Sequence, residues 1–211
     1  MRTRIGILAA VVVMALLLFA VFPTRVPEPE SPVQGLKSVG GFADIADEKA
    51  RSVAIFDEIG KVLTHPRCAN CHPRGDMPLQ GDAMTPHQPP VFRGAANFGV
   101  AAMHCTSCHG TSNVIYAGGS GSIPGHEVWM LAPAPMAWAG VPLAAICEQI
   151  KDPARNGSRT LAQLHEHMAE DGLVGWGWQP GPGRTPAPGS QKELGELVKA
   201  WIDTGAHCPA R

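Results

Sequence analysis

The sequence predicts a mainly α protein with long irregular loops, carried behind an N-terminal transmembrane helix. Three features predict this: four amphipathic helical patterns, an aperiodic stretch between the first and second of them, and an uncharged run near the N-terminus. The run is IGILAAVVVMALLLFAVF (5–22), preceded by the basic residues of MRTR. About 20 apolar residues span a bilayer, and cleavable signal cores are usually shorter and end in a small-x-small site. Bulky residues in FAVFPTR stand where small ones are wanted, so residues 1–23 read as an uncleaved signal-anchor. Arg2 and Arg4 stay on the cytoplasmic side and the rest lies outside. The expected location is the periplasmic side of a bacterial inner membrane, with a soluble periplasmic form after signal cleavage as the alternative.

Residues 24–43, punctuated by Pro and Gly, read as an extended tether, and 44–211 as one domain. In 44–65, Asp44 is the expected cap, Asp47 and Glu48 suit the first turn, and Val53, Phe56, Ile59 and Leu63 recur at helical spacing. In VPLAAICEQIKDP, Pro142 suits the first helical position, and Leu143, Ile146, Cys147 and Ile150 share a face. Thr160 and Gln163 form a capping-box pattern ahead of Leu161, Leu164, His165 and Met168. Ser190 and Glu193 repeat the box; Leu194, Leu197, Val198, Trp201 and Ile202 face inward, and Gly205 ends the helix.

Residues 73–142 show neither helical nor alternating periodicity, and 24 Gly and 20 Pro in 211 residues suggest long irregular connections. A structureless stretch of that length inside one domain calls for something besides side chains to organise it. Net charge is −1, so no polybasic field argues for nucleic acid as a partner.

Two short stretches nearly repeat: RCANCHP (67–73) and HCTSCHG (104–110). Each carries Cys-x-x-Cys followed at once by His, the pattern of c-type haem attachment. Cys68 and Cys71 would bond the vinyl groups of one haem with His72 as proximal iron ligand; Cys105, Cys108 and His109 would serve a second. A zinc site of four Cys usually has about 15–20 residues between its pairs and gives no reason for either His. The chain has 33 there. A thioredoxin-like pair needs a βαβ setting that is absent, and a disulfide scaffold needs no such spacing.

These motifs, together with HPRCANCHP, PHQPPVFRG, ICEQIKDPARNG, LHEHMAEDGLVGWGW and WIDTGA, resemble a family of exported bacterial dihaem c-type cytochromes. The likeness runs from about 65 to 208, and its members often carry the label isoquinoline 1-oxidoreductase subunit. The resemblance implies two covalently bound haem c groups and electrons taken from an oxidoreductase of that kind; the expected partners are redox proteins, a dehydrogenase or an oxidase. Nothing in the chain resembles a molybdopterin or iron–sulfur site.

Distal iron ligands are sought among the Pro-flanked loops. His87 in MTPHQPP and His126 in IPGHEVW are the expected pair, without assignment to one haem or the other. Rivals are Met84, Met136 in APAPMAWAG, and the helical trio His165, His167 and Met168. His65 and His104 precede their motifs too closely and suit supporting or exposed roles. The five Trp residues read as packing, some against porphyrin faces. Cys147, on an apolar helix face, and Cys208, just past the last helix, suit a disulfide in an oxidising compartment, with two buried thiols as the alternative. The expected function is a membrane-tethered carrier relaying single electrons between redox proteins. The alternative is a haem enzyme with one open distal site, peroxidase-like or acting on a small oxyanion.

Overall fold

In the computed structural model, residues 35–210 are described. The expected membrane segment and most of the tether lie outside them. Among the described residues no helix is long and apolar enough to cross a membrane.

Among the described residues the fold is mainly helical, with six α-helices and little strand. Helix α1 spans Glu48–Leu63, α2 Pro66–Ala69, α3 Leu143–Lys151, α4 Leu161–Glu170, α5 Gly172–Gly175 and α6 Gln191–Asp203. The apolar core forms where α1, α3, α4 and α6 meet. Ile55, Phe56, Ile59 and Val62 of α1 pack with Ile146 and Ile150 of α3, Leu164 and Met168 of α4, and Leu194, Leu197, Val198 and Trp201 of α6. Phe56 and Trp201 rings meet at 4.9 Å between centroids. Gly195 lets α6 approach α4 closely, since a Cβ there would fall 2.7 Å from that of Ala169.

Several local expectations are corrected. Asp47, not Asp44, caps α1, its Oδ1 accepting from the Ala50 amide at 2.7 Å. The helix starts later because Phe42 and Ile45 first turn inward onto the core, the Ile45 amide donating to Phe42 O. Val53 is only half-buried, while Ile55 and Val62 hold the centre of the apolar face. The tether ends before residue 43. Leu36 and Phe42 are buried, the Lys37 amide donates to Glu58 at 2.8 Å, and Val39–Phe42 form a 3₁₀ turn.

The Thr160–Gln163 capping box forms reciprocally. Ser190 accepts from the Glu193 amide at 3.2 Å, but the Glu193 carboxylate meets the Ser190 hydroxyl rather than its amide. Gly205, at φ +91°, turns the chain back after α6. The tail is then held by Trp201 Nε1 donating to His207 O and by the His207 amide donating to buried Ser52. Cys147 and Cys208 are joined in a disulfide with their Cα atoms 5.6 Å apart.

Between α2 and α3 the chain forms no helix longer than a turn. Three antiparallel pairs of two residues each appear instead: β1 (Leu79–Gln80) with β2 (Thr85–Pro86), β3 (Gly99–Val100) with β4 (Met103–His104), and β5 (Val114–Ile115) with β6 (Ser122–Ile123). Two residues are too few to display alternation in the sequence.

This region inverts the usual burial pattern. Of its large apolar residues only Leu131, Met136 and Trp138 are buried, whereas Met84, Phe92, Val100, Met103, Val114, Ile115, Tyr116 and Val128 are exposed. Polar braces hold it in place. Arg93, 6% exposed, donates to Asn97 Oδ1 at 3.0 Å, Gly75 O at 3.2 Å and Ala132 O. Arg67 pairs with Asp82 at 2.6 Å, and Asp82 accepts in turn from the Thr185 hydroxyl at 2.7 Å.

Candidate functional site

The two Cys-x-x-Cys-His stretches fold alike. A His precedes the turn that carries the first Cys in each, His65 three residues before Cys68 ahead of an α-helical turn and His104 directly before Cys105 ahead of a 3₁₀ turn. In both, the amide of the second Cys and the amide of the following His donate to the carbonyl of the first Cys. A helical turn sets residues three apart on one side. Cys68 and Cys71 therefore share a side, as do Cys105 and Cys108, and the His follows directly below.

The imidazoles are held in matching ways. His72 Nδ1 donates to Met136 O at 2.7 Å, and His109 Nδ1 donates to Pro124 O at 2.7 Å. A carbonyl only accepts, so Nδ1 carries the proton in both rings and Nε2 keeps its lone pair. An indole lies against each ring: Trp138 on His72, centroids 3.5 Å apart and planes within 5°, and Trp129 near His109 at 4.9 Å and 20°. Trp138 is fixed by Nε1 donating to Gln149 at 2.7 Å.

Burial pushes the His72 pKa down to about 3, against the Met136 hydrogen bond that raises it; the charges of His167 and Arg93 lower it further. His109 is lowered by burial in the same way, with the Pro124 bond opposing and the charges of His87 and Arg184 adding to the shift. Both rings are thus neutral at physiological pH, which is the metal-ligating form.

A cavity of about 360 Å³ brings the second motif together with His87. Its walls include Cys71, Cys105, Cys108, His109, His87 and Trp129. His87 Nδ1 donates to Pro89 O at 2.9 Å, leaving its Nε2 free as well. The His87 and His109 rings lie 6.0 Å apart, centroid to centroid. Imidazoles that share one metal through Nε2 have centroids about 6 Å apart, given metal–nitrogen bonds of about 2 Å. The spacing, the tautomers and the thiols beside them fit a haem with His109 and His87 on its two faces. Cys71 lines the same cavity, so the two motifs adjoin.

The thiols differ between the motifs. Burial pushes Cys68 up to about 12 and Cys71 up to about 11, with Cys71 adding to the first and Cys105 to the second. Cys105 is also raised by burial, and Cys108 is exposed. Among the described residues no three His, Cys, Asp or Glu side chains converge as an ion-binding group. Two buried guanidinium nitrogens, Arg67 Nε and Arg93 Nε, have no hydrogen-bond partner among the described residues. Arg93 Nε lies 3.5 Å from the Asp76 carboxylate, so Arg67 Nε is the donor left to suit a carboxylate such as a haem carries.

Two of the distal candidates fall elsewhere. Met136, 4% exposed, supplies the carbonyl on the Nδ1 side of His72, away from its free nitrogen, and does not line the cavity. His126 is tied through Nδ1 to its own turn at Val128, and its Nε2 faces Gly172. Residues the sequence reading left out are Arg93 and the carbonyls of Pro124 and Met136, whereas Trp129 and Trp138 are read there as packing. A backbone carbonyl leaves no signal in a sequence. In comparisons with protein-family models, curated proteins and solved structures, nothing matches this chain.

Proposed function

We propose that this chain is a dihaem c-type cytochrome that relays single electrons between redox proteins at the periplasmic face of the inner membrane, tethered by its N-terminal segment. The observation that carries the reading is that the His87 and His109 rings, each tied through Nδ1 to a backbone carbonyl, lie 6.0 Å apart in an apolar cavity lined also by Cys105 and Cys108.

In this reading Cys68 and Cys71 would hold one haem covalently through their thiols, and Cys105 and Cys108 the other. Haem iron, when bound, alternates between ferrous and ferric states and so carries one electron. The chain's own part is to hold His72 and His109 in the tautomer that presents Nε2, through the Met136 and Pro124 carbonyls. The exposed apolar residues of 73–142 supply walls for macrocycles, and the adjoining motifs support a short path between them. With haem bound there, His87 and His109 would both be available to hold its iron, which favours a carrier over an enzyme.

The test is expression of the full chain in a host that matures c-type cytochromes. We expect two covalent haems per chain by pyridine haemochrome, one in Cys68→Ser/Cys71→Ser and one in Cys105→Ser/Cys108→Ser. The oxidised protein should be low-spin by EPR and slow to bind cyanide. High-spin haem that turns over peroxide would instead support the haem-enzyme reading.

A further inference from the structure

We propose that Trp138 is the positioning residue for His72: its indole, anchored by Gln149, sets the plane of the imidazole that the first motif offers to a haem iron. The inference rests on the dihaem reading and concerns its first centre.

A hydrogen bond fixes one atom of a ring and leaves the ring free to turn about that bond. The bond from His72 Nδ1 to Met136 O, at 2.7 Å, therefore sets the tautomer but not the plane. The second torsion of a His side chain is broad, so the residue does not set its own plane either. Trp138 does. Its indole lies 3.5 Å from the imidazole, centroid to centroid, with the planes within 5°. Aromatic pairs left to themselves prefer offset or edge-on arrangements with centroids about 4.5–7 Å apart. Full overlap at 3.5 Å persists only where both rings are held.

Both are held. Trp138 and Gln149 are buried, and Trp138 Nε1 donates to Gln149 Oε1 at 2.7 Å. Gln149 Nε2 donates in turn to Arg155 O, so the amide is fixed at both ends and its oxygen stays on the indole. Gln149 stands on α3, whose Ile146 and Ile150 sit in the helical core and whose Cys147 carries the disulfide. The amides of Trp138 and Ala139 both donate to His72 O, at 2.9 and 3.1 Å. The stretch 136–139 thus grips His72 by its carbonyl, its ring face and its Nδ1, and the core fixes the stretch.

The second centre is built differently. Trp129 lies 4.9 Å from His109 and is inclined by 20°. Its other neighbour is Trp176, met edge-on at 4.9 Å, and both indoles are only half-buried. The plane-to-plane contact belongs to the first motif.

The experiment uses the full-length holoprotein and reads EPR g values of the oxidised haems, which depend on the plane of an axial imidazole. We expect Trp138→Leu to shift and broaden one of two haem signals, the one that is missing from Cys68→Ser/Cys71→Ser. Gln149→Met, which keeps the indole and removes its acceptor, should broaden the same signal. Trp138→Phe, which restores an aromatic face, should bring that signal back towards the wild type. Leu197→Ala, which opens the same core cluster, should lower the unfolding midpoint and leave both signals in place. Unchanged signals in either Trp138→Leu or Gln149→Met, or the same shift in Leu197→Ala, overturns the assignment. Failure of the wild type to hold two covalent haems by pyridine haemochrome overturns the dihaem reading itself, so the two failures are separable.

Discussion

The four thiols of the paired motifs have equal parts in the sequence pattern but sit in unlike surroundings. Cys68 packs against the apolar core beneath α1, where burial holds its proton with a pKa of about 12. Cys108 lies exposed at the end of a 3₁₀ turn. The thiolate is the nucleophile, so reactivity follows both deprotonation and access. In haem-free protein at pH 8, iodoacetamide should label Cys108 more than tenfold faster than Cys68, with Cys71 also slow. Peptide mass spectrometry over time measures the order. Equal rates at Cys68 and Cys108 would mean that the first motif is not packed as described. The same contrast sets an expectation for maturation: the second motif is the easier one for haem to reach.

At the scale of elements, the helices were largely legible because their signals are local and periodic. The Thr160 box, the Ser190 cap, the α6 face and the Gly205 stop all stand within a turn of the residues that announce them. Asp44 failed as a cap because core contacts of Phe42 and Ile45, which no local pattern encodes, delay the helix to Asp47. The motif residues were legible for the same reason as the helices, being one turn long. The pairing of His87 with the second motif was not, since a Pro-flanked loop carries no sign of its direction. The disulfide ties elements together more strongly than either signal does. Cys147 on α3 is fully buried, and its bond to Cys208 closes a loop across a sequence separation of 61. Chain entropy for a loop of that length gives about 4 kcal/mol. Cys147→Ala/Cys208→Ala should therefore lower the guanidinium unfolding free energy by about that amount and loosen the tail after Gly205. A change below about 1 kcal/mol would show that the tail's hydrogen bonds to Ser52 and Trp201 suffice.

For the whole molecule, two regions of the same chain are stabilised by different means. The helices bury Phe56, Ile59, Ile146, Leu197 and Trp201 almost completely, and this core needs no added group. The stretch 73–142 has three large buried apolar residues, many exposed ones, and a set of Arg-centred braces. Side chains alone bury too little apolar surface there to offset the entropy of ordering about seventy residues, at roughly 1–2 kcal/mol each. On the dihaem reading, macrocycles covering Phe92, Met103 and Tyr116 supply the difference. Hydrogen exchange by mass spectrometry separates the two regions. Amides of α1 and α6 should be protected alike in haem-loaded and haem-free protein, while those of 73–142 should be protected only in the loaded form. Protection of 73–142 that is the same in both forms would show that the Arg93 and Arg67 braces order this stretch without haem, and would remove the structural reason for a cofactor core.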